Sequence, residues 1–515
     1  MTSFSEFLAS LGGADRSQRP ARFGVIDIGS NSVRLVVFDS ATRTPAVFFN
    51  EKILCGLGET LEQTGRLSER GRERAFEALR RFQALTERMD LRAVAAVGTA
   101  ALREAEDGQE FVADVAARLG VSVWVAEGAD EARLAAQGVL LGDPLANGVV
   151  ADMGGASLEL TTLTPAGAGA GGVTTALGPL RVMAWGGLSN GKRDARIDAA
   201  LEAALTPALR RPPALYALGG SWRTVVRCQM ERVNYPLRVL HGFSMPLSEA
   251  AAAAEWVAGL APEAVHEMTG VSERRAAVTP MAARVLLRLL KAVKPERLVL
   301  SAFGLREGVL WEHLPAALRE RDPLLDAAEA LERSHARMPG FGAELWAWLR
   351  GPMAPFEPRE ARLAEAGCLI ADASWRTHPD YRARSSFELV TRNALGGLDH
   401  EDRLYIGAAL LHRYKGGKRA LRAEPSMAYL SEEKAMRAEA LGRGVRLGVV
   451  IAGAAPGLLP RCDLIRGAPE PGAEGGTLTL RLPGSAASLW GEEVEKRLHL
   501  FADALGLAPR FEIGA

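Results

Sequence analysis

The apolar residues in the first third of the chain come in short runs broken by small polar turns. Phe23 to Ile26 is apolar but for Gly24 and runs into a carboxylate, Asp27. Gly29, Ser30, Asn31 and Ser32 turn the chain, and Val33 to Phe38 carries it back. The pattern predicts a β-hairpin, with more small hydroxyl residues in its turn than a hairpin needs. It returns at Gly148 to Ala151, with Asp152 at the end, Gly154, Gly155, Ala156 and Ser157 in the turn, and Leu158 to Leu163 going back. Two such units predict a duplicated fold. Backbone N–H groups of such loops can wrap a phosphate, so the two are either tight turns and nothing more, or paired phosphate loops on one cleft.

The periodicity then divides the chain. Residues 1–21 read as a polar tail containing Gly and Pro. Residues 22–145 read as three strands followed by alternating helices and strands, a ribonuclease-H-like order. Ser68 is placed to cap a helix with Ala75, Leu79, Phe82 and Leu85 on one face. Residues 146–318 repeat that order, with 164–172 as a low-complexity loop. Residues 319–440 have helical periodicity throughout. Residues 441–515 read as a small α/β domain, with Val445–Ile451 and Thr477–Leu482 as strands and 492–505 as a helix. The fold class is therefore α/β: two similar lobes, a helical domain and a small α/β end.

Charge and cysteine usage narrow the function. Lys plus Arg and Asp plus Glu both number 62, so the formal net charge is zero, and a polyanion site must be local. Nucleic acid is not an expected partner. The four cysteines show no CxxC spacing, which fits a reducing cytoplasm without disulfides. No signal peptide or membrane span is expected.

The motifs IDIGSNSVRL, GTAALREAED, EGADEARLAAQGV, VADMGGASLEL, ALGGSWRT and AFGLREGVLWE occur in this order. Together they closely resemble the exopolyphosphatase/guanosine pentaphosphate phosphohydrolase family, over residues 22 to about 315 and more weakly through the helical domain. The long form looks most like an exopolyphosphatase. The resemblance implies lobes of the actin, hexokinase and heat-shock chaperone superfamily and an HD-like helical domain. The chain departs from the family pattern in three places. Asp107 stands where Asn is frequent, and a carboxylate facing the cleft there would repel phosphate. Ala156 replaces a glycine and keeps the loop only if that position needs no positive φ. The His-Asp metal pair of an HD site is missing from Ile370-Ala371-Asp372-Ala373, so no second hydrolase site is expected.

The resemblance implies Glu131 as the catalytic carboxylate, a residue that by itself could equally be a first-turn glutamate favoured by the helix dipole. Arg103 could grip a phosphate or sit on the surface. Asp152 and Glu159 form the expected Mg²⁺ side with Asp27, since hard carboxylates suit that ion. Gly219-Gly220-Ser221 matches a loop that packs on nucleoside in ATP-binding members of the superfamily. Residues 375–422 hold ten Lys or Arg against five Asp or Glu. Within them Arg413, Lys415, Lys418, Arg419 and Arg422 suggest a polyphosphate track, or a solvated helix end. The expected activity is Mg²⁺-dependent release of orthophosphate from inorganic polyphosphate by a homodimer, as is usual in the family. The alternatives are a phosphohydrolase acting on guanosine pentaphosphate, an actin-like ATPase or kinase, and a non-catalytic sensor of polyphosphate or of guanosine penta- or tetraphosphate.

Overall fold

The first hairpin forms β1 (Arg22–Ile28) and β2 (Ser32–Phe38) of a five-stranded sheet completed by β3 (Val47–Leu54), β4 (Leu91–Gly98) and β5 (Val123–Val125). The strand order is β3-β2-β1-β4-β5. The hairpin strands pair antiparallel, and β4 and β5 add in parallel. Both faces are covered, which is why β1 and β2 read as apolar runs rather than alternating ones. Ile26, Val33, Leu35 and Val37 pack into one core with Leu79, Phe82 and Phe111. Phe23, Val25, Val36 and Phe38 pack into the other with Val309, Leu310 and Leu314.

This computed structural model describes residues 4–10, 22–169, 172–414, 421, 423–468 and 476–514. Part of the expected N-terminal tail is helical, Phe4–Ser10. Phe4 and Phe7 are buried against the first sheet, with the Phe4 ring centroid 4.3 Å from that of Trp124. Ser68 caps the Glu69–Thr86 helix by accepting from Gly71 N–H.

The second sheet repeats the first. β6 (Gly148–Met153), β7 (Leu158–Thr164) and β9 (Val173–Thr175) pair antiparallel, while β10 (Ala214–Leu218) and β12 (Arg297–Leu300) extend β6 in parallel. Its order β9-β7-β6-β10-β12 is that of the first sheet. Two short strands, β8 (Gly167–Ala168) and β11 (Ser244–Pro246), are added at its edges. β8 lies inside the segment expected as a loop.

The chain separates into two units, Met1–Tyr235 with Leu240–Arg321 and Pro236–Val239 with Asp322–Ala515. The second is helical up to a terminal three-stranded sheet of β13 (Asp463–Gly467), β14 (Thr477–Pro483) and β15 (Ala508–Gly514). Val445–Ile451 is not a strand; it lies inside the helix Glu432–Ala452. Leu441, Val445, Gly448 and Ala452 are buried there at helical spacing, and the local Val/Ile content yields to that packing.

Candidate active site

In both sheets the strand-end residues converge on one cleft of about 540 Å³, as ligand sites do at the carboxyl ends of parallel strands. Gly29–Ser32 and Gly154–Ser157 both line it. The two turns are built alike. Gly29 N–H donates to Ser32 C=O and Gly154 N–H to Ser157 C=O, each at 3.0 Å. The Ser30 carbonyl is held by Gly58 N–H at 2.8 Å and the Gly155 carbonyl by Leu180 N–H at 3.0 Å. In a trans peptide N–H points opposite to C=O, so the N–H groups of Asn31 and Ala156 are directed away from those braces. Ala156 is not among the residues of positive φ, so the missing glycine costs the loop nothing in backbone strain.

Register sets the charges. Asp27, Arg34 and Lys52 stand opposite one another on β1, β2 and β3. Directly opposed residues of antiparallel strands share a face, and all three line the cleft. In the second lobe Asp152 opposes Glu159 on β7. The first lobe thus offers a mainly basic row and the second an acidic one.

Four carboxylates meet in this space, Glu131 and Glu159 buried and Asp27 and Asp152 half-buried, and each is harder to ionise than usual. Burial pushes Glu131 up to about 7, with Arg103 opposing and the charges of Asp152 and Asp27 adding to the rise. Burial likewise lifts Asp152 to about 6, against Arg223. It raises Asp27 as well, against Arg306 and Arg34. Glu159 is raised well above the usual carboxylate range, by burial and then by Glu131. Its Oε1 is buried with no hydrogen-bond partner among the described residues. A hard divalent cation fits this set: the donors are carboxylate oxygens, one is unsatisfied, and their mutual repulsion falls when a cation is present. No three His, Cys, Asp or Glu side chains among the described residues form a ready-made cage. Mg²⁺ is commonly bound through one or two carboxylates plus phosphate and water.

The cations present the reverse case. Arg34, Lys52, Arg223, Arg274, Arg275 and Arg306 line the cleft. Burial and neighbouring arginines lower Arg34 to about 10 and Lys52 to about 8. Arg223 Nε and Arg306 Nη1 are buried without partners among the described residues. Such a group of cations is stabilised by an arriving polyanion. Sequence reasoning singled out none of the six as a site residue. The available signal was a charged residue at an otherwise apolar strand position in Arg34, and membership of the quoted motifs in Arg34, Arg223 and Arg306.

Glu131 lies in the first turn of the helix Gly128–Gly142 and lines the cleft. Arg103 is not a cleft-lining residue. Its Nη1 pairs with the Glu131 carboxylate and donates to the Ala126 carbonyl at 2.7 Å. That nitrogen is therefore engaged on Glu131 and the backbone rather than open to phosphate. Gly219, Gly220 and Ser221 are in the cleft wall. Gly219 has φ +102°, and a Cβ there would meet the Met153 carbonyl oxygen at 2.3 Å, so glycine is required. At the rim Arg181 bridges Glu62 at 2.8 Å and Glu104 at 2.9 Å, both on the other lobe.

Asp107 does not face the cleft. It is buried, accepts from Leu67 N–H at 2.9 Å and from Arg72 at 3.1 Å, and ties two helices together. The expected phosphate track is altered in one place. Arg413 is buried and donates to Asp372 at 2.8 Å, so it is no surface contact for a polyanion. Lys415, Lys418, Arg419 and Arg422 lie outside the described residues.

The chain belongs to the Ppx/GppA phosphatase family, whose model matches residues 36–317, and a model described as exopolyphosphatase, C-terminal, matches residues 324–511. Among solved structures it is similar to the Aquifex aeolicus member of that family, with 25% identity and a TM-score of 0.51 over 59% of this chain and 99% of that one. It is similar in fold to an exopolyphosphatase from Cytophaga hutchinsonii, with 23% identity and a TM-score of 0.51 over 57% of this chain and 99% of that one. No helix among the described residues is long and apolar enough to cross a membrane.

Proposed function

We propose that this protein is an exopolyphosphatase that uses Mg²⁺ and water to remove the terminal phosphate of inorganic polyphosphate. The observation that carries the reading is the meeting of a basic and an acidic row across one cleft, with two matched backbone turns between them. A simple phosphate ester needs only one clamp. A chain of phosphoanhydrides needs charge compensation along several residues, which Arg34, Lys52, Arg275 and Arg306 can supply.

The terminal phosphoryl sits between the N–H groups of the two turns. A water beside Glu131 attacks its phosphorus while the Glu131 carboxylate takes the water proton. The new P–O bond forms as the bond to the bridging oxygen breaks. That oxygen leaves with the bonding electrons on a chain one phosphate shorter. Arg103 holds the Glu131 carboxylate in place and favours its charged form. Asp152 and Glu159, with Asp27 behind them, would hold Mg²⁺, which neutralises charge on the phosphoryl oxygens when bound.

One observation favours a second substrate. Gly219-Gly220-Ser221 is in the cleft wall with the Arg275 guanidinium lying over Gly220, a planar cation on which the base of guanosine pentaphosphate could stack. Phosphate release from long polyphosphate and from guanosine pentaphosphate, side by side and with or without Mg²⁺, separates the two. Faster release from polyphosphate is expected. Release from the nucleotide alone would replace the first reading with the second, and release from neither would remove both.

A further inference from the structure

The carboxylate read as the base lies where a helix holds itself least. The N–H groups of Gly128, Ala129 and Asp130 have no intrahelical partner, Glu131 N–H closes the first such bond onto the Glu127 carbonyl at 3.0 Å, and Glu127, at the N-cap of the Gly128–Gly142 helix, makes no side-chain cap bond. The direction of Glu131 therefore depends on what packs against that turn.

Outside the cleft, a polar cluster ties this helix to the Leu305–His313 helix. Arg133 pairs with Glu312. Gln137, one turn further along, donates to the same Glu312 carboxylate at 2.6 Å and accepts from Arg133 at 3.3 Å. The other arm of Arg133 donates to Asp130 at 3.2 Å. One residue on the second helix thus grips two successive turns of the first. It also ties down, through Arg133, the neighbouring acid Asp130. Asp130 stays outside the cleft lining, and Glu131 is inside it.

The crossing beneath this cluster leaves no slack. A Cβ on Gly138 would meet the Gly304 carbonyl oxygen at 2.1 Å, and one on Gly308 would meet that of Leu134 at 1.8 Å. The two backbones touch, so a shift of one helix is transmitted to the other. Gly304 also stands beside the acidic row: a Cβ on it would lie 3.9 Å from Asp152 Oδ2. Arg306, in the first turn of the second helix, lines the cleft.

We propose that Glu312 is a positioning residue. With Arg133 and Gln137 it locks the rotation and height of the Glu131 helix against the helix that starts beside Asp152. This keeps Glu131, and not Asp130, on the attacking water. The inference rests on Glu131 acting as the base. A misplacement of about 1 Å at a reacting group can cost on the order of 10²-fold in rate, so a residue that touches no substrate can still set turnover.

The test compares Glu312→Ala with Glu312→Gln in the full chain. Gln keeps an acceptor for Arg133 and Gln137; Ala removes it. Orthophosphate release from polyphosphate gives kcat and KM, and a thermal melt reports folding. Polyphosphate binding to each variant is measured separately. The expected result is a kcat for Glu312→Ala lower by about 10- to 100-fold, with KM and binding within about twofold, and recovery of most turnover in Glu312→Gln. Wild-type kcat in Glu312→Ala overturns the proposal. So does a loss of binding and melting temperature in parallel with kcat, since that marks a role in folding alone. A wild-type chain that releases no phosphate from polyphosphate or guanosine pentaphosphate overturns the base assignment itself, and is seen before any variant is compared.

Discussion

Asp152 on β6 opposes Glu159 on β7 in the same register that sets Arg34 against Asp27 in the first lobe. The duplicated hairpin thus carries one geometry with two charge patterns. The acid at the first strand end is kept in both lobes, and the residue across from it is a base in one and an acid in the other. One cleft can then hold both a polyanion and the cation that offsets it.

The Arg103–Glu131 pair makes the base sensitive to its partner. Arg103 counters the rise that burial imposes on Glu131, whose pKa stands at about 7. Removing that counterweight moves the pKa further up, and a base must be ionised to act. Arg103→Gln is therefore expected to shift the acidic limb of the kcat–pH profile to higher pH, with activity regained under alkaline conditions. Glu131→Gln should abolish the limb and lower kcat by about 10²–10⁴-fold at unchanged polyphosphate binding. An acidic limb that stays put in both variants would assign it to another group.

The acidic row predicts metal sensitivity. Asp152→Asn and Glu159→Gln each remove one oxygen ligand of the expected Mg²⁺ site while keeping side-chain volume. Both should raise the Mg²⁺ concentration needed for half-maximal rate, by about 10-fold or more for a residue that ligates directly. Superimposable Mg²⁺ titrations for wild type and both variants would exclude the row as the metal side.

Asp372 gives a stability test in the helical unit. Burial pushes its pKa up, but hydrogen bonds from Arg337 and the charge of Arg413 hold it below the usual carboxylate value. A depressed carboxyl contributes stability that is fully present above its unfolded pKa of about 3.9 and is lost as pH falls through the folded value. Unfolding free energy of this unit should therefore drop below about pH 4, and Asp372→Asn should flatten that dependence. At neutral pH the variant leaves the Arg413 guanidinium buried and unpaired, at a cost of about 3–5 kcal/mol. A denaturation curve unchanged between Asp372→Asn and wild type would show that the pair carries no stability.

The parts of the fold legible in the sequence are those where local pattern and tertiary role agree. The paired hairpins were visible because their turns and flanking apolar runs repeat, and Ser68 because a cap is a local contact. The terminal domain was misread at Val445–Ile451, since a short apolar run does not distinguish a strand from a buried helix turn. Within the site, Glu131, Asp152 and the two turns were visible as motif residues. Arg34 and Lys52 were not, because their importance comes from cross-strand register and not from neighbours in sequence. Arg103 and Arg413 show the converse. Each lies in a motif or charge cluster that suggests phosphate, yet each is turned onto a carboxylate, Glu131 or Asp372.

That placement of Arg413 divides the basic cluster into two kinds of residue with opposite predictions. Arg413 is buried on Asp372, so Arg413→Ala should behave as a folding variant. Its melting temperature should fall, and activity on long and short polyphosphate should fall together. Lys415, Lys418 and Arg419 follow it in a segment that is net positive within a chain of zero net charge. No general basic surface can replace them if long substrate runs past. Changing all three to Ala should weaken binding of long polyphosphate and leave very short chains, which need only the cleft, unaffected. Each lost phosphate contact should also reduce the salt dependence of long-chain binding, by analogy with counterion release from nucleic acids. The measurement is KM on long and on very short polyphosphate across a salt series, with thermal melts alongside. Equal losses on both lengths with a lowered melt would put the three residues with Arg413 as folding determinants. An unchanged salt slope and unchanged KM on long chains would leave the polyanion to the cleft cations alone.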